Sequence, residues 1–264
     1  MRLAWLGIAL SLPLSANAFT LLGLSSQGSA TTGWKKTTLQ YVLNTSGCSV
    51  SSDSVRSAVS ESMALWNGVS TARLTLENSG DSTISATSAT SMSTVTGVPP
   101  IVCFTSSFGS VDPAVTLGVS AATYNTSTME IVQSYLALNS VSGANANIST
   151  LSTAELTATL AHEMGHSVGL GHSEDTTALM YFQNLRERAR LGTDDADGYT
   201  FLYPRSELTG GGFMGCGTLT RVSEQPPHSG ATAVISVFAL FAFCFAVARL
   251  IGRTNQSDAL TSST

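Results

Sequence analysis

Charge and histidine are both scarce in this chain. Only 11% of its 264 residues are charged, twelve of them Lys or Arg, and the formal net charge is −5. No basic patch stands out, which argues against nucleic acid as a partner, because phosphate recognition needs clustered cations. No internal repeat is present, so a solenoid or propeller is not expected. Cysteine is confined to Cys48, Cys103, Cys216 and Cys244, and none of the four histidines precedes His162.

The histidines that do occur are concentrated. Three of the four lie in His162-Glu163-Met164-Gly165-His166-Ser167-Val168-Gly169-Leu170-Gly171-His172. His162 and His166 stand at i, i+4, so on a helix they share a face and can hold one metal ion together. Gly169 permits a sharp turn that brings His172 round as a third nitrogen. Three imidazoles with a fourth position open is the pattern of a catalytic zinc site, since structural sites usually close all four. Glu163 lies beside the metal, where it can take a proton from a water that the metal activates and pass it to a leaving amine. One catalytic Zn2+ is therefore expected, with His162, His166 and His172 as ligands and Glu163 as general base. A bare histidine pair at this spacing is weak evidence; the extension to Gly169 and His172 makes it specific.

The flanking residues place the motif on a helix. Ser152 to Glu155 fits a capping box, and a helix is predicted over 153–169, ending at the glycine. Leu156, Leu160, Met164 and Val168 make an apolar stripe for the core. Ala158, His162 and His166 form a second stripe that would face a cleft. Ala158 is small, so a deep primed-side pocket for a large apolar side chain is expected there.

The pattern resembles the metzincin metalloproteases and, within them, the matrixins. Besides the zinc motif with Ser173 after it, Ala178-Leu179-Met180-Tyr181 resembles the Met-turn, in which Met180 would lie beneath the metal. Tyr181 would border the specificity pocket. Residues 191–199 and 201–204 resemble the last matrixin helix, with acidic residues in its first turn, where the helix dipole favours them. Upstream the likeness is weaker but in order. Strands are predicted at 39–43, 72–76, 82–86, 117–124 and 129–138, and an amphipathic helix at 54–67. The resemblance implies an α+β zincin-like catalytic domain over 34–209, with a five-stranded mixed twisted sheet and three helices. It also implies that substrate adds as an antiparallel strand near Val115 to Ala121, a free sheet edge.

The chain also departs from that family. Without a histidine before His162, the structural zinc common in matrixins is not expected. Carboxylates suited to structural calcium are scattered, Asp112 and Glu130 being the candidates, so calcium there is not expected either. A cysteine-switch propeptide is not expected either. Phe182 stands where a proline commonly follows the Met-turn tyrosine. Phe19 could mimic the matrixin N-terminus that pairs with Asp194 or Asp195, but residues 19–33, rich in Ser, Gly and Thr, are expected to form a loose arm. Ser/Thr-rich stretches at 82–96 and 140–153 are expected to be exposed loops. Asn44, Asn125 and Asn147 sit in glycosylation sequons.

The ends of the chain point to export. Residues 1–18 carry a positive start, an apolar run and an Ala-x-Ala cleavage site, the pattern of a secretory signal peptide. An apolar run at 231–248 reaches about 27 Å as a helix, enough to span a bilayer, and Arg249 and Arg253 place residues 249–264 in the cytoplasm. Residues 210–230 form a Gly-rich linker with a lone Cys216, which resembles the sorting tails of some bacterial surface proteins. Processing near Cys216 by a membrane protease, a plain stalk and an intermolecular disulfide all remain open. Cys48 and Cys103 are the two cysteines of the domain. In a matrixin sheet the first and third strands are neighbours, which would let them pair; two free thiols are the other reading.

The resemblance implies a zinc endopeptidase acting on extracytoplasmic protein or peptide substrates, tethered by its C-terminal helix. The rival reading is a zinc-binding surface or adhesion module, catalytically silent or dedicated to one partner.

Overall fold

The computed structural model describes residues 19–24, 29–86, 97–182 and 189–206. All belong to the first of two compact units, Met1–Gly211; the second, Gly212–Thr264, lies outside them. The signal segment 1–18, the linker with Cys216, the apolar run 231–248 and the tail therefore also lie outside. No helix among the described residues is long and apolar enough to cross a membrane.

Among the described residues, a five-stranded mixed sheet and three α-helices build the domain. Two short strands, β1 (Gly23–Leu24) and β2 (Ser29–Ala30), form an antiparallel pair of their own. The main sheet contains β3 (Thr38–Leu43), β4 (Thr75–Asp81), β5 (Pro100–Phe104), β6 (Gly118–Tyr124) and β7 (Ile131–Asn139). Their order is β4-β3-β5-β7-β6, parallel except for the last pair, so β6 runs antiparallel along one edge. Helix α1 (Ser52–Asn67) starts at Ser51, whose side chain accepts from Ser54 N–H, and it crosses between β3 and β4. It buries Val55, Ala58, Val59, Met63 and Trp66, the face that its apolar spacing predicts.

The strand predictions hold for β3, β6 and β7 to within two residues. They fail in the middle. Residues 82–85 form no strand; they run as a loop in which Ile84 O accepts from the Asn44 side chain. The third strand is instead Pro100–Phe104, and β4 begins at Thr75 rather than at 72. Every residue of β5 is buried, and a strand covered on both faces has no alternation to read. The expected exposed loop at 140–153 is also partly interior, because Ser140, Ala146, Asn147 and Ile148 are buried.

Helix α2 (Thr153–Ser167) lies against α1 over the sheet. It begins with the predicted capping box of Ser152 and Glu155. Leu156, Leu160, Met164 and Val168 all join the core. Trp66 of α1 donates its indole N–H to Ala161 O at 2.9 Å, and Ser62 donates to Thr157 O at 2.9 Å. The two helices meet closely where α2 carries Gly165. A methyl group there would overlap Met180 Sδ and lie 3.0 Å from both Met180 Cε and Trp66.

Cys48 and Cys103 form a disulfide that ties the loop after β3 to β5. The strands are hydrogen-bonded neighbours, as the pairing required. The bond spans 55 residues of sequence.

Two stability predictions follow from this packing. Replacing Cys48 and Cys103 by Ser removes about 4 kcal/mol by the loop-entropy argument; urea unfolding of oxidised and reduced protein should differ by that amount, and equal midpoints would contradict it. Gly165→Ala overpacks the contact with Met180 and Trp66 and costs about 2 kcal/mol. It should lower the thermal midpoint, whereas an unchanged midpoint would show that Met180 moves aside freely.

Candidate metal centre and substrate cleft

The centre is built by the way α2 ends. Gly169 has φ +109°, a left-handed conformation that disfavours other residues. Gly169 N–H donates to His166 O and Leu170 N–H to Gly165 O, each at 2.9 Å, the crossed pair that closes a Schellman turn. Side chains from distant segments secure the same turn. Trp34 donates its indole N–H to Ser167 O at 2.9 Å, Tyr203 donates its hydroxyl to Val168 O at 2.6 Å, and Tyr41 bonds the Ser167 hydroxyl. The chain then reverses and carries His172 back beside the helix.

Residues 19–24 lie along this reversal. Leu22 N–H donates to Gly169 O at 2.9 Å and Gly171 N–H to Thr20 O at 2.8 Å. The Phe19 ring packs against Phe201 with centroids 5.4 Å apart.

His162, His166 and His172 each offer a ring nitrogen, and the three atoms lie within 4.8 Å of one another. Their ring centroids are 4.7 to 5.4 Å apart. Nδ1 of His162 lies 2.8 Å from Leu179 O, and Nδ1 of His166 lies 2.8 Å from Leu170 O. A carbonyl only accepts, so each Nδ1 carries its proton and each Nε2 keeps a free lone pair, the form that binds a metal. Burial disfavours the charged ring. It lowers the pKa of His162 to about 4, opposed by the Leu179 carbonyl, and that of His166 to about 3, with His162 nearby adding to the effect. His172 is more exposed and is lowered by the same cause.

Glu163 is buried beside them. Burial pushes its carboxyl up to about 8, against a backbone hydrogen bond from Ser120. A cation held by the imidazoles would draw it back down. Its Oε2 is buried without a hydrogen-bond partner. Gly118 at the start of β6 packs on this side chain, where an added methyl would lie 3.1 Å from Glu163 Cγ.

The floor is held from below. Met180 is buried against Gly165 in the segment that resembles the Met-turn. Asp195, in the first turn of helix α3 (Thr193–Leu202), accepts from Leu179 N–H at 2.6 Å, Met180 N–H at 2.9 Å and Gly192 N–H at 2.7 Å. Asp194 accepts from the Ser173 hydroxyl. The acidic first turn was legible as a match to the helix dipole. Its grip on the Met180 turn was not, because that contact joins residues 15 apart.

A cleft of about 1060 Å³ opens over the centre, bordered by His162, Glu163, His172, Tyr181, Phe182 and the 114–118 segment. Its helical wall is Glu155 and Thr159. Ala158 is not in that wall; it is fully buried in the core. The helical repeat explains the difference. Positions 155, 159, 162 and 166 advance by four, three and four and follow one face, while 158 falls toward α1. A second cavity of about 370 Å³ beside Cys103 is lined by Ser, Thr, Asn and apolar residues and has no ionisable side chain in its lining.

Comparison with known proteins fits this geometry. The Matrixin family pattern matches residues 119–204, from the edge strand through α3. An interstitial collagenase from Aquarana catesbeiana is 58% identical over 38 residues, which are 14% of this chain and 10% of that protein. The chain thus matches about a tenth of the length of that curated relative. Over residues 119–204, the stretch that carries its three histidines, the chain is similar to the matrixins.

Proposed function

We propose that this chain is a zinc-dependent endopeptidase acting on proteins outside the cytoplasm. The observation that carries the reading is the convergence of three imidazole nitrogens beside a cleft bordered by an edge strand. The donor set fits zinc: burial keeps the imidazoles neutral, carbonyls behind His162 and His166 orient two of them, and a fourth position would be left for substrate or water. His162, His166 and His172 would hold the ion. When bound, it supplies Lewis acidity, polarising a carbonyl and making water more acidic.

The protein's own groups do the rest. Glu163 is the general base: its partnerless Oε2 accepts a proton from the attacking water and delivers it to the departing amide nitrogen. Gly118, pressed against Glu163, limits where that side chain can swing. Strand β6 has its outer edge unpaired within the sheet, so an extended peptide can add there through main-chain hydrogen bonds, which read backbone rather than sequence. Side-chain preference falls to the cleft walls, where Val115, Leu117, Leu151 and Phe182 supply apolar surface. Export through residues 1–18, a tether at 231–248 and processing near Cys216 complete the proposal on sequence grounds.

The test is cleavage of a diverse peptide library by the zinc-loaded full-length chain beside Glu163→Gln. The wild type should cut. E163Q should keep its zinc and lose at least about 100-fold in rate. Removing zinc with a chelator should abolish cleavage and restoring it should recover it. Equal silence from both proteins with zinc bound would favour a binding or adhesion module, and equal cleavage by both would remove Glu163 from the role of base.

A further inference from the structure

Two rims of the cleft are irregular segments from different parts of the chain. Residues 114–117 precede β6, while Asn145 and Ala146 lie in the connection from β7 to α2. Val115 is 77% exposed, so core burial does not hold the first rim in shape.

One buried side chain holds the first rim directly and connects to the second through Val141 and Asn147. Asn139, the last residue of β7, has no exposed surface. Its Nδ2 donates to Pro113 O and to Thr116 O, each at 2.8 Å, and its Oδ1 accepts from Val141 N–H at 2.9 Å. Its backbone N–H donates to Leu117 O at 2.9 Å. Val141 O then accepts from Nδ2 of Asn147 at 2.8 Å. Asn147 is also buried, and its Oδ1 accepts from Ser149 N–H and from the Ser49 hydroxyl. The Asn139 amide has both donor hydrogens in use and cannot rotate without losing three bonds together.

We propose that Asn139 is a positioning residue for substrate. It sets the 113–117 rim against the 141–147 rim and so decides whether an extended peptide fits, touching neither peptide nor metal. The proposal rests on the endopeptidase reading. An aspartate at 139 keeps the size and the acceptor for Val141 N–H but has no hydrogens for Pro113 O and Thr116 O, which then face a carboxylate. The rim at 113–117 shifts. His162 and His166 keep their supports, because Leu179 O and Leu170 O lie on other segments.

The experiment compares zinc-loaded full-length wild type with Asn139→Asp and with Asn147→Ser, a milder cut in the same chain of amides. For each, zinc content, kcat and KM are measured, together with the affinities of acetohydroxamate, which probes the metal alone, and of a peptide hydroxamate that also spans the cleft. N139D should raise KM and weaken the peptide hydroxamate by about tenfold or more, with zinc content, kcat and acetohydroxamate affinity held within about twofold. N147S should shift the same pair of values in the same direction, and it carries the comparison if N139D does not fold. Unchanged KM and peptide hydroxamate affinity would overturn the proposal. So would loss of zinc or acetohydroxamate binding in step with the peptide, which would mark general support of the fold. A wild type that binds zinc and acetohydroxamate, yet neither cleaves nor gains affinity from the peptide portion, would bring down the endopeptidase reading and this proposal with it.

Discussion

At the end of α2 a left-handed glycine and two crossed hydrogen bonds turn the chain back on itself, and the metal centre depends on that reversal. Two of the three imidazoles sit on the helix by simple spacing. The third does not, and its place follows from the turn at Gly169 and from what holds it. Trp34, Tyr41 and Tyr203 reach the helix end from the N-terminal segment, β3 and the end of α3. The Leu170 carbonyl presented by this turn is the acceptor for His166 Nδ1. The turn therefore both aims His172 and orients a neighbouring ligand, so the ligands are tied to one another through the backbone as well as through any ion they hold.

The turn below the centre repeats this economy. Leu179 O orients His162 while Leu179 N–H is held by Asp195. Asp195 is a buried carboxyl whose pKa burial raises, while the three backbone donors around it oppose that rise. Met180 fills the space that the missing side chain of Gly165 leaves. Helix, turn and last helix are thus fastened to one another by close contact and buried hydrogen bonds, and the matrixin match covers this same stretch.

How much of this was legible in the sequence follows from the range of each interaction. The capping box at Ser152, the apolar stripe of α2 and the i, i+4 histidines are local patterns, and they appear where periodicity placed them. Strands β6 and β7 showed as extended runs. Strand β5 did not, because it is buried on both faces and begins at a proline. Ala158 was assigned to the cleft by its step of four from His162; the face drifts, and Thr159 takes that place. Asn139, Asn147 and Asp195 were opaque for a common reason. Each bonds a group on another segment, backbone for Asn139 and Asp195 and the Ser49 hydroxyl for Asn147, and those partners become visible only once the chain is folded.

The central claim is that one zinc ion is held by three imidazoles and nothing else from the protein. X-ray absorption at the zinc edge of the zinc-loaded protein tests it most directly. Three imidazole nitrogens and one further light atom per zinc, with one imidazole lost in His172→Ala, is the predicted result. A sulfur ligand, or a first shell unchanged in His172→Ala, would contradict the account.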